Sequence, residues 1–284
     1  MDKDNASRYS GATAVVTGAA SGIGRALAIE LAKRGANLAI SDVNDSALSE
    51  TASLAQSAGA GIKVRTYHLD VAERAAVLAH ADDVASEFSH VDLVFNNAGV
   101  AVAATVEETS WEDLDWLMGI NFWGVVHGTK AFLPHLIASG DGTLVNLSSV
   151  FGFIGVPSQS AYNSAKFAVR GFTEALRQEM LMDGKPVTVC CVHPGGIRTN
   201  IARSARVPDT SQVEKERMAA DFDRIARTSP ERAARTILRG VDRRKARILV
   251  GPDAYLIDGM ANLLGARYQG LVVRLARRAP VGTA

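Results

Sequence analysis

The chain has 284 residues, a formal net charge of +1, and 47% hydrophobic against 21% charged residues. That length can bury a large core without staples, and that composition excludes a disordered or fibrous chain. With 31 Lys plus Arg against 30 Asp plus Glu, the balance gives no electrostatic reason to expect nucleic-acid binding.

Taken in chain order, apolar β-branched runs alternate with helical patterns. Residues 1 to about 8 read as a loose polar tail without the apolar stretch of a secretory signal. Ala12–Thr17 reads as a strand, Gly22–Arg34 as a helix ending at Gly35, and Asn37–Asp42 as a second strand. A helix over 45–58, a strand over 62–69, a helix over 73–88 and a strand over 91–96 follow. Two helical stretches are expected near Trp111–Ile120 and Phe122–Ser139, then a strand over 143–148, a helix over 161–182 and a strand over 187–193. The charged stretch 200–228 reads as irregular and partly helical, Pro230 opens a helix to Arg239, and 247–250 is a last strand. Such alternation implies a doubly wound α/β fold with a mostly parallel seven-stranded sheet flanked by helices. Several strands are apolar throughout, as expected when both faces are covered. Residues 9–251 are thus expected to form one Rossmann-type domain and 252–284 a C-terminal helical extension.

The adjacent Cys190 and Cys191 fall in an extended strand, where neighbours point to opposite faces, so a disulfide between them is not expected. No Cys/His spacing suggests zinc, and no metal is expected. No apolar run approaches a membrane span. A reduced, cytoplasmic protein is the reading.

Three features carry chemistry. The first strand runs into Thr17-Gly18-Ala19-Ala20-Ser21-Gly22-Ile23-Gly24 and then a helix. Glycines there let the backbone turn sharply and approach a pyrophosphate that the helix N-terminus attracts. The spacing is G-x-x-x-G-x-G, and a tight turn without a ligand is the bland alternative. Asp42 closes the second strand, where a carboxylate can bind adenosine ribose hydroxyls and would repel a 2′-phosphate, or simply form a turn. Asp70 could meet the adenine amino group or cap the helix that follows it. Tyr162 and Lys166 stand four apart on one helix face, where an ammonium would lower the phenol's pKa. Ser149 ends the preceding strand, where α/β sheets place ligand-binding groups. Taken alone, a Tyr/Lys pair at this spacing is more often a solvated helix face.

The glycine turn, Asn96-Asn97-Ala98-Gly99, Asn121, Ser149, Tyr162, Lys166 and Pro194-Gly195 follow one order on one frame. Together they closely resemble the short-chain dehydrogenase/reductase family, in its shorter single-domain branch, over about residues 10 to 250. The resemblance implies Tyr162 as general acid/base, with Lys166 lowering its pKa and binding the nicotinamide ribose. Ser149, 13 residues before Tyr162, would polarise the substrate oxygen, and Asn121 would hold a proton-relaying water. Gly18, Ser21, Gly22, Ile23 and Gly24 would hold the pyrophosphate, Asp42 the adenosine ribose, and Asp70 with Val71 the adenine. Asn97, Ala98 and Gly99 would line the adenosine ribose side of the cleft and brace the central sheet. Pro194, Gly195, Ile197 and Thr199 would flank the nicotinamide. The implied activity is hydride transfer between NAD, favoured over NADP by Asp42, and a secondary alcohol or ketone. An NADP-dependent carbonyl reductase, or a non-catalytic dinucleotide sensor or scaffold on the same fold, is the alternative.

In that family, the residues after Ser149 and a substrate lid, which the resemblance implies for 200–228, shape the substrate site. Those after Ser149 include Val150, Phe151, Phe153, Ile154 and Val156, an apolar set that suits a bulky lipophilic substrate such as a steroid, retinoid or long-chain compound, unless part of it packs in the core. Trp111 and Trp116 read as packing or subunit contacts, and His193 as a local hydrogen-bonding group. Beyond Gly251, Leu256, Met260, Leu263, Leu264, Leu271 and Leu275 fall near one stripe beside Arg267, Arg274, Arg277 and Arg278. Packing or contact in a homo-oligomer, dimer or tetramer, is favoured for this segment. Covering a neighbour's active site or lying on an anionic membrane are its competitors.

Overall fold

The computed structural model describes residues 8–208 and 226–278. Seven strands, β1 (Thr13–Thr17), β2 (Asn37–Asp42), β3 (Val64–His68), β4 (Leu93–Asn96), β5 (Gly142–Leu147), β6 (Val187–Pro194) and β7 (Arg247–Val250), form one sheet in the order β3-β2-β1-β4-β5-β6-β7. Every pairing is parallel. The helices α1 (Gly22–Ala32), α2 (Asp45–Ala58) and α7 (Pro230–Asp242) cover one face, and α3 (Arg74–Phe88), α5 (Gly124–Ala138) and α6 (Ser160–Met182) the other. This double cover is why β1, β4 and β5 are buried at every position and read as continuous apolar runs.

Strand order reverses between β1 and β4, so the loops at their carboxyl ends diverge and leave a crevice there. The glycine-rich turn leaves β1, and Asn97–Gly99 leave β4, at this point. Buried polar groups bridge the sheet beneath it. Asn96 Nδ2 donates to Asn146 Oδ1 at 2.8 Å, and Asn146 Nδ2 donates to Thr173 Oγ1 at 3.0 Å. These bonds tie β4, β5 and α6 together below the site.

Four expectations change. Arg8 belongs to the folded body, since its guanidinium donates to Thr143 Oγ1 and the Val241 carbonyl. The two helical stretches after Trp111 are α4 (Trp111–Met118) and α5 joined through a π-turn, Gly119–Trp123, rather than separate helices. The C-terminal segment is two helices, α8 (Pro252–Leu264) and α9 (Tyr268–Arg278), because Gly265 takes φ +49° and a short 3₁₀ turn intervenes. Its apolar residues accordingly form no single buried stripe: Leu256 is 73% and Leu263 86% exposed. The lid expected over 200–228 is described only at its two ends, with 209–225 outside the described residues, as is most of the expected tail. Among the described residues no helix is long and apolar enough to cross a membrane.

Candidate active site

The glycine-rich turn is held by sterics and hydrogen bonds together. Gly18 takes φ +65°, and a Cβ there would sit 2.7 Å from the Ala98 Cα. A Cβ on Gly24 would strike the Gly18 carbonyl. Asn97 closes the turn from the β4 side, its Nδ2 donating to the Thr17 carbonyl at 2.8 Å and the Gly18 carbonyl at 3.1 Å. Thr17 Oγ1 accepts from the backbone N–H groups of Asn97 and Ala98. Helix α1 then starts at Gly22, with no acidic residue in its first turn and no capping bond from the Ser21 side chain. The first-turn N–H groups of a helix lack intrahelical partners and favour an anion. Thr199 reaches this turn from the far side of the crevice, its Cγ2 3.0 Å from where a Gly22 Cβ would stand.

Asp42 sits at the rim of the same turn. Its Oδ2 accepts from Ala20 N at 3.0 Å and its Oδ1 from Asn44 N at 3.0 Å. Arg25, which the sequence did not single out, braces the other side. Its Nε and Nη2 donate to the Ala20 carbonyl, and its Nη2 also reaches Glu50 at 2.8 Å. Asp70 forms a local turn, Oδ1 accepting from Ala72 N at 2.9 Å, while Glu73 occupies the N-cap of α3. Val71 is buried against Gly124, and its carbonyl stands 3.1 Å from His127 Nδ1.

Ser149, Tyr162 and Lys166 converge where β5 ends and α6 begins. The Ser149 hydroxyl lies near enough to the Tyr162 phenol to draw its pKa down, and Ser149 Oγ accepts from Phe151 N at 3.1 Å. The Phe151 ring meets the Tyr162 ring edge-on at 6.1 Å. Lys166 is 4% exposed, and its Nζ lies 5.6 Å from the Tyr162 ring centroid. Ser148 is distinct from Ser149, since its hydroxyl is spent on the Lys166 carbonyl at 2.8 Å.

In this structure the Lys166 ammonium is not turned toward the Tyr162 phenol oxygen. Burial dominates both groups, pushing the Tyr162 phenol up to about 12 against the opposing pull of the nearby Ser149 hydroxyl. It also draws the Lys166 ammonium down to about 8. The lysine Nζ is aimed at the Leu147 carbonyl, 3.0 Å away, rather than at the phenol oxygen.

Asn121 lies fully buried in the π-turn. Its Oδ1 accepts from Val100 N and its Nδ2 donates to Val100 O, both at 2.8 Å, which pins the segment after Gly99. The π-turn is what carries this side chain across α4 and α5 to Val100, a placement typical of functional positions.

Part of the expected apolar lining packs inward. Val150, Phe153 and Ile154 are buried, and Phe153 stacks on His193 at 4.1 Å with the Arg170 and Arg247 guanidinium groups near its faces. Phe153 therefore belongs to the core, leaving Phe151 and Val156 half-buried on the open side. His193 Nδ1 stands 3.0 Å from the Ser149 carbonyl, and desolvation holds its ring down to about 4. Pro194 ends β6, and Ile197, buried, bridges to Thr228. Cys190 and Cys191 are free thiols buried in β6. Three further residues escaped the sequence reading. Asn163 ties the loop after Ser149, while Asp253 and Tyr268 reach the site from the C-terminal helices.

Residues 12–209 match the family described as short chain dehydrogenase. The chain belongs to the short-chain dehydrogenase family. A Mycobacterium tuberculosis protein bearing the oxidoreductase name SadH is 55% identical over 267 residues, covering 94% of this chain and 95% of that protein. A Sphingobium C alpha-dehydrogenase is 34% identical over 249 residues, covering 84% of this chain and 80% of that protein. Among solved structures, a Burkholderia phymatum short chain dehydrogenase/reductase in complex with NAD superposes with a TM-score of 0.82 at 30% identity, covering 94% of this chain and 96% of that one. This short-chain dehydrogenase therefore shares its fold, nearly end to end, with that oxidoreductase.

Proposed function

We propose that residues 9–251 form a dehydrogenase unit that transfers hydride between NAD(H) and a lipophilic secondary alcohol or ketone. The observation that carries this reading is the convergence of the Ser149, Tyr162 and Lys166 side chains at the carboxyl end of β5, beside the crevice of the glycine turn. The residues present fit a dinucleotide. The uncapped first turn of α1 suits a pyrophosphate, and side chains at Gly18 or Gly24 would fill the cradle. Gly18, Ser21, Gly22, Ile23 and Gly24 would hold the phosphates, Asp42 the adenosine ribose, Asp70 and Val71 the adenine side, and Thr199 with Ile197 the nicotinamide end. When bound, the nicotinamide supplies the hydride acceptor or donor.

The protein's own groups then do the proton chemistry. Ser149 orients the substrate oxygen. Tyr162 takes the hydroxyl proton in the oxidation direction and returns it in the reduction direction. A phenol raised to about 12 by burial is a poor base at neutral pH, so a nearby positive charge is what brings it into range. Lys166 is the cation in reach, and turning its Nζ from the Leu147 carbonyl toward the phenol would supply that charge. Asn121 fixes Val100 and Gly99 behind the lysine.

NAD is preferred over NADP because Asp42, held by Ala20 N of the glycine turn and by Asn44 N just beyond β2, keeps a carboxylate at the adenosine-ribose end of the crevice, where it would repel a 2′-phosphate. Apolar substrate character rests on Phe151, edge-on to Tyr162. Screening NAD reduction over lipophilic secondary alcohols tests the activity. Turnover confined to small polar substrates such as sugars refutes the substrate class, and dinucleotide binding with no turnover of any alcohol or ketone favours a sensor.

A further inference from the structure

The C-terminal helices reach both sides of the crevice within one chain. At the start of α8, Asp253 Oδ2 accepts from Gly196 N at 2.6 Å, and a side chain on Gly195 would run into that carboxylate. Midway along α8, Asp258 pairs with Arg247 at 3.1 Å. At the start of α9, Tyr268 Oη accepts from Gly155 N at 2.8 Å, across 113 residues of sequence. The paired helices α8 and α9 thus hold the loop after β6 at one end and the loop after Ser149 at the other.

The second loop matters because Ser149 is built into it. Ser149 Oγ accepts from Phe151 N, and Phe151 stands against Tyr162. From inside, Asn163 holds the loop, its Nδ2 donating to the Phe151 and Ile154 carbonyls and its Oδ1 accepting from Val156 N. Gly155 lies between those bonds and is solvent-exposed, and Tyr268 is its partner from outside. A cleft of about 430 Å³ lies elsewhere, beside Glu174 and Arg247. The groove of about 420 Å³ between α9 and Val156–Ser164 marks where α9 rests on this loop without filling the space. The contact therefore depends on the one hydroxyl more than on broad apolar packing.

We propose that Tyr268 is a positioning residue: it fixes the loop that carries Ser149 and Phe151, so the C-terminal extension acts on its own chain's substrate site. The proposal rests on the dehydrogenase reading above for its effect on turnover, and on the Tyr268–Gly155 bond alone for its effect on the loop. Tyr268→Phe removes the acceptor and keeps the ring. Deuterium exchange of the segment spanning 150–159 should quicken about five-fold, the loss of one hydrogen bond. For an alcohol that the wild type oxidises, KM should rise several-fold while NADH binding stays within two-fold.

Exchange at the wild-type rate overturns the proposal. So does faster exchange with both KM and kcat unchanged. If the wild type turns over no alcohol or ketone, the dehydrogenase reading fails by itself, and the exchange rate of the loop still decides whether Tyr268 holds it.

Discussion

Asp42 Oδ2 accepts a hydrogen bond from Ala20 N at 3.0 Å, so the carboxylate that ends β2 is fastened to the turn that follows β1. The two strands are register neighbours, Thr17 beside Ser41, and the bond extends that pairing past the sheet edge. The same carboxylate is thereby fixed beside the proposed adenosine ribose. Its aim is set by backbone groups and not by a mobile side chain.

Cofactor choice should therefore turn on Asp42. Asp42→Ala should weaken NADH binding about ten-fold, through lost ribose contact and a looser turn. NADPH binding should improve in the same variant, because the charge that would repel a 2′-phosphate is gone. Fluorescence titration with both nucleotides measures it. An unchanged NADH to NADPH ratio would remove Asp42 from the selectivity argument.

Tyr162→Phe deletes the proton-transfer hydroxyl and leaves the ring against Phe151. Turnover should fall at least about a hundredfold, the range of general acid–base catalysis, while NADH affinity stays close to wild type. For the wild type, alcohol oxidation should rise with pH, since the reactive form is the phenolate and burial opposes its formation. A flat profile through the alkaline range, with chemistry rate-limiting, would contradict a Tyr162 base.

The parts of this molecule that the sequence made legible are local. The glycine turn, Asp42 at a strand end and the four-residue spacing of Tyr162 and Lys166 need only neighbours in sequence to be recognised, and the element order follows from periodicity. Facing was harder. The run Val150–Val156 is apolar throughout, so nothing in it distinguishes Phe153, stacked on His193, from Phe151, which edges the Tyr162 ring. Electrostatic outcome was harder still. Spacing brings Lys166 to Tyr162, but only the structure shows that burial raises the phenol and that the ammonium is engaged by Leu147. Single polar contacts over long separations, such as Asp253 to Gly196 and Tyr268 to Gly155, leave no periodic trace.

Asn121 should be as costly to remove for stability as for activity. Both of its amide atoms are matched to Val100, and the residue is fully buried. Asn121→Ala leaves the N–H and carbonyl of half-buried Val100 without their partners, each worth about 1–3 kcal/mol. Urea unfolding should show a loss of about 2–5 kcal/mol. A loss below about 0.5 kcal/mol would mean that water replaces the amide and that the π-turn does not depend on it.

Acid should weaken the fold through two buried histidines. His80 has neither ring nitrogen hydrogen-bonded and packs edge-on to Tyr67 and Phe132, while His193 leaves Nε2 unpartnered. Desolvation is the main cause that holds each down to about 4, against an ordinary value of 6.5. The unfolded chain therefore binds more protons than the native one between pH 6.5 and 4. Stability is full above that window, falls as pH drops through it, and stops changing on this account below it. At pH 5 each histidine should cost about 2 kcal/mol relative to neutral pH. Urea midpoints at pH 7.5 and 5 measure the total, and His80→Leu, which cannot take up a proton, should recover roughly half of the difference. If His80→Leu loses as much stability between those pH values as the wild type, His80 is not the group that senses acid.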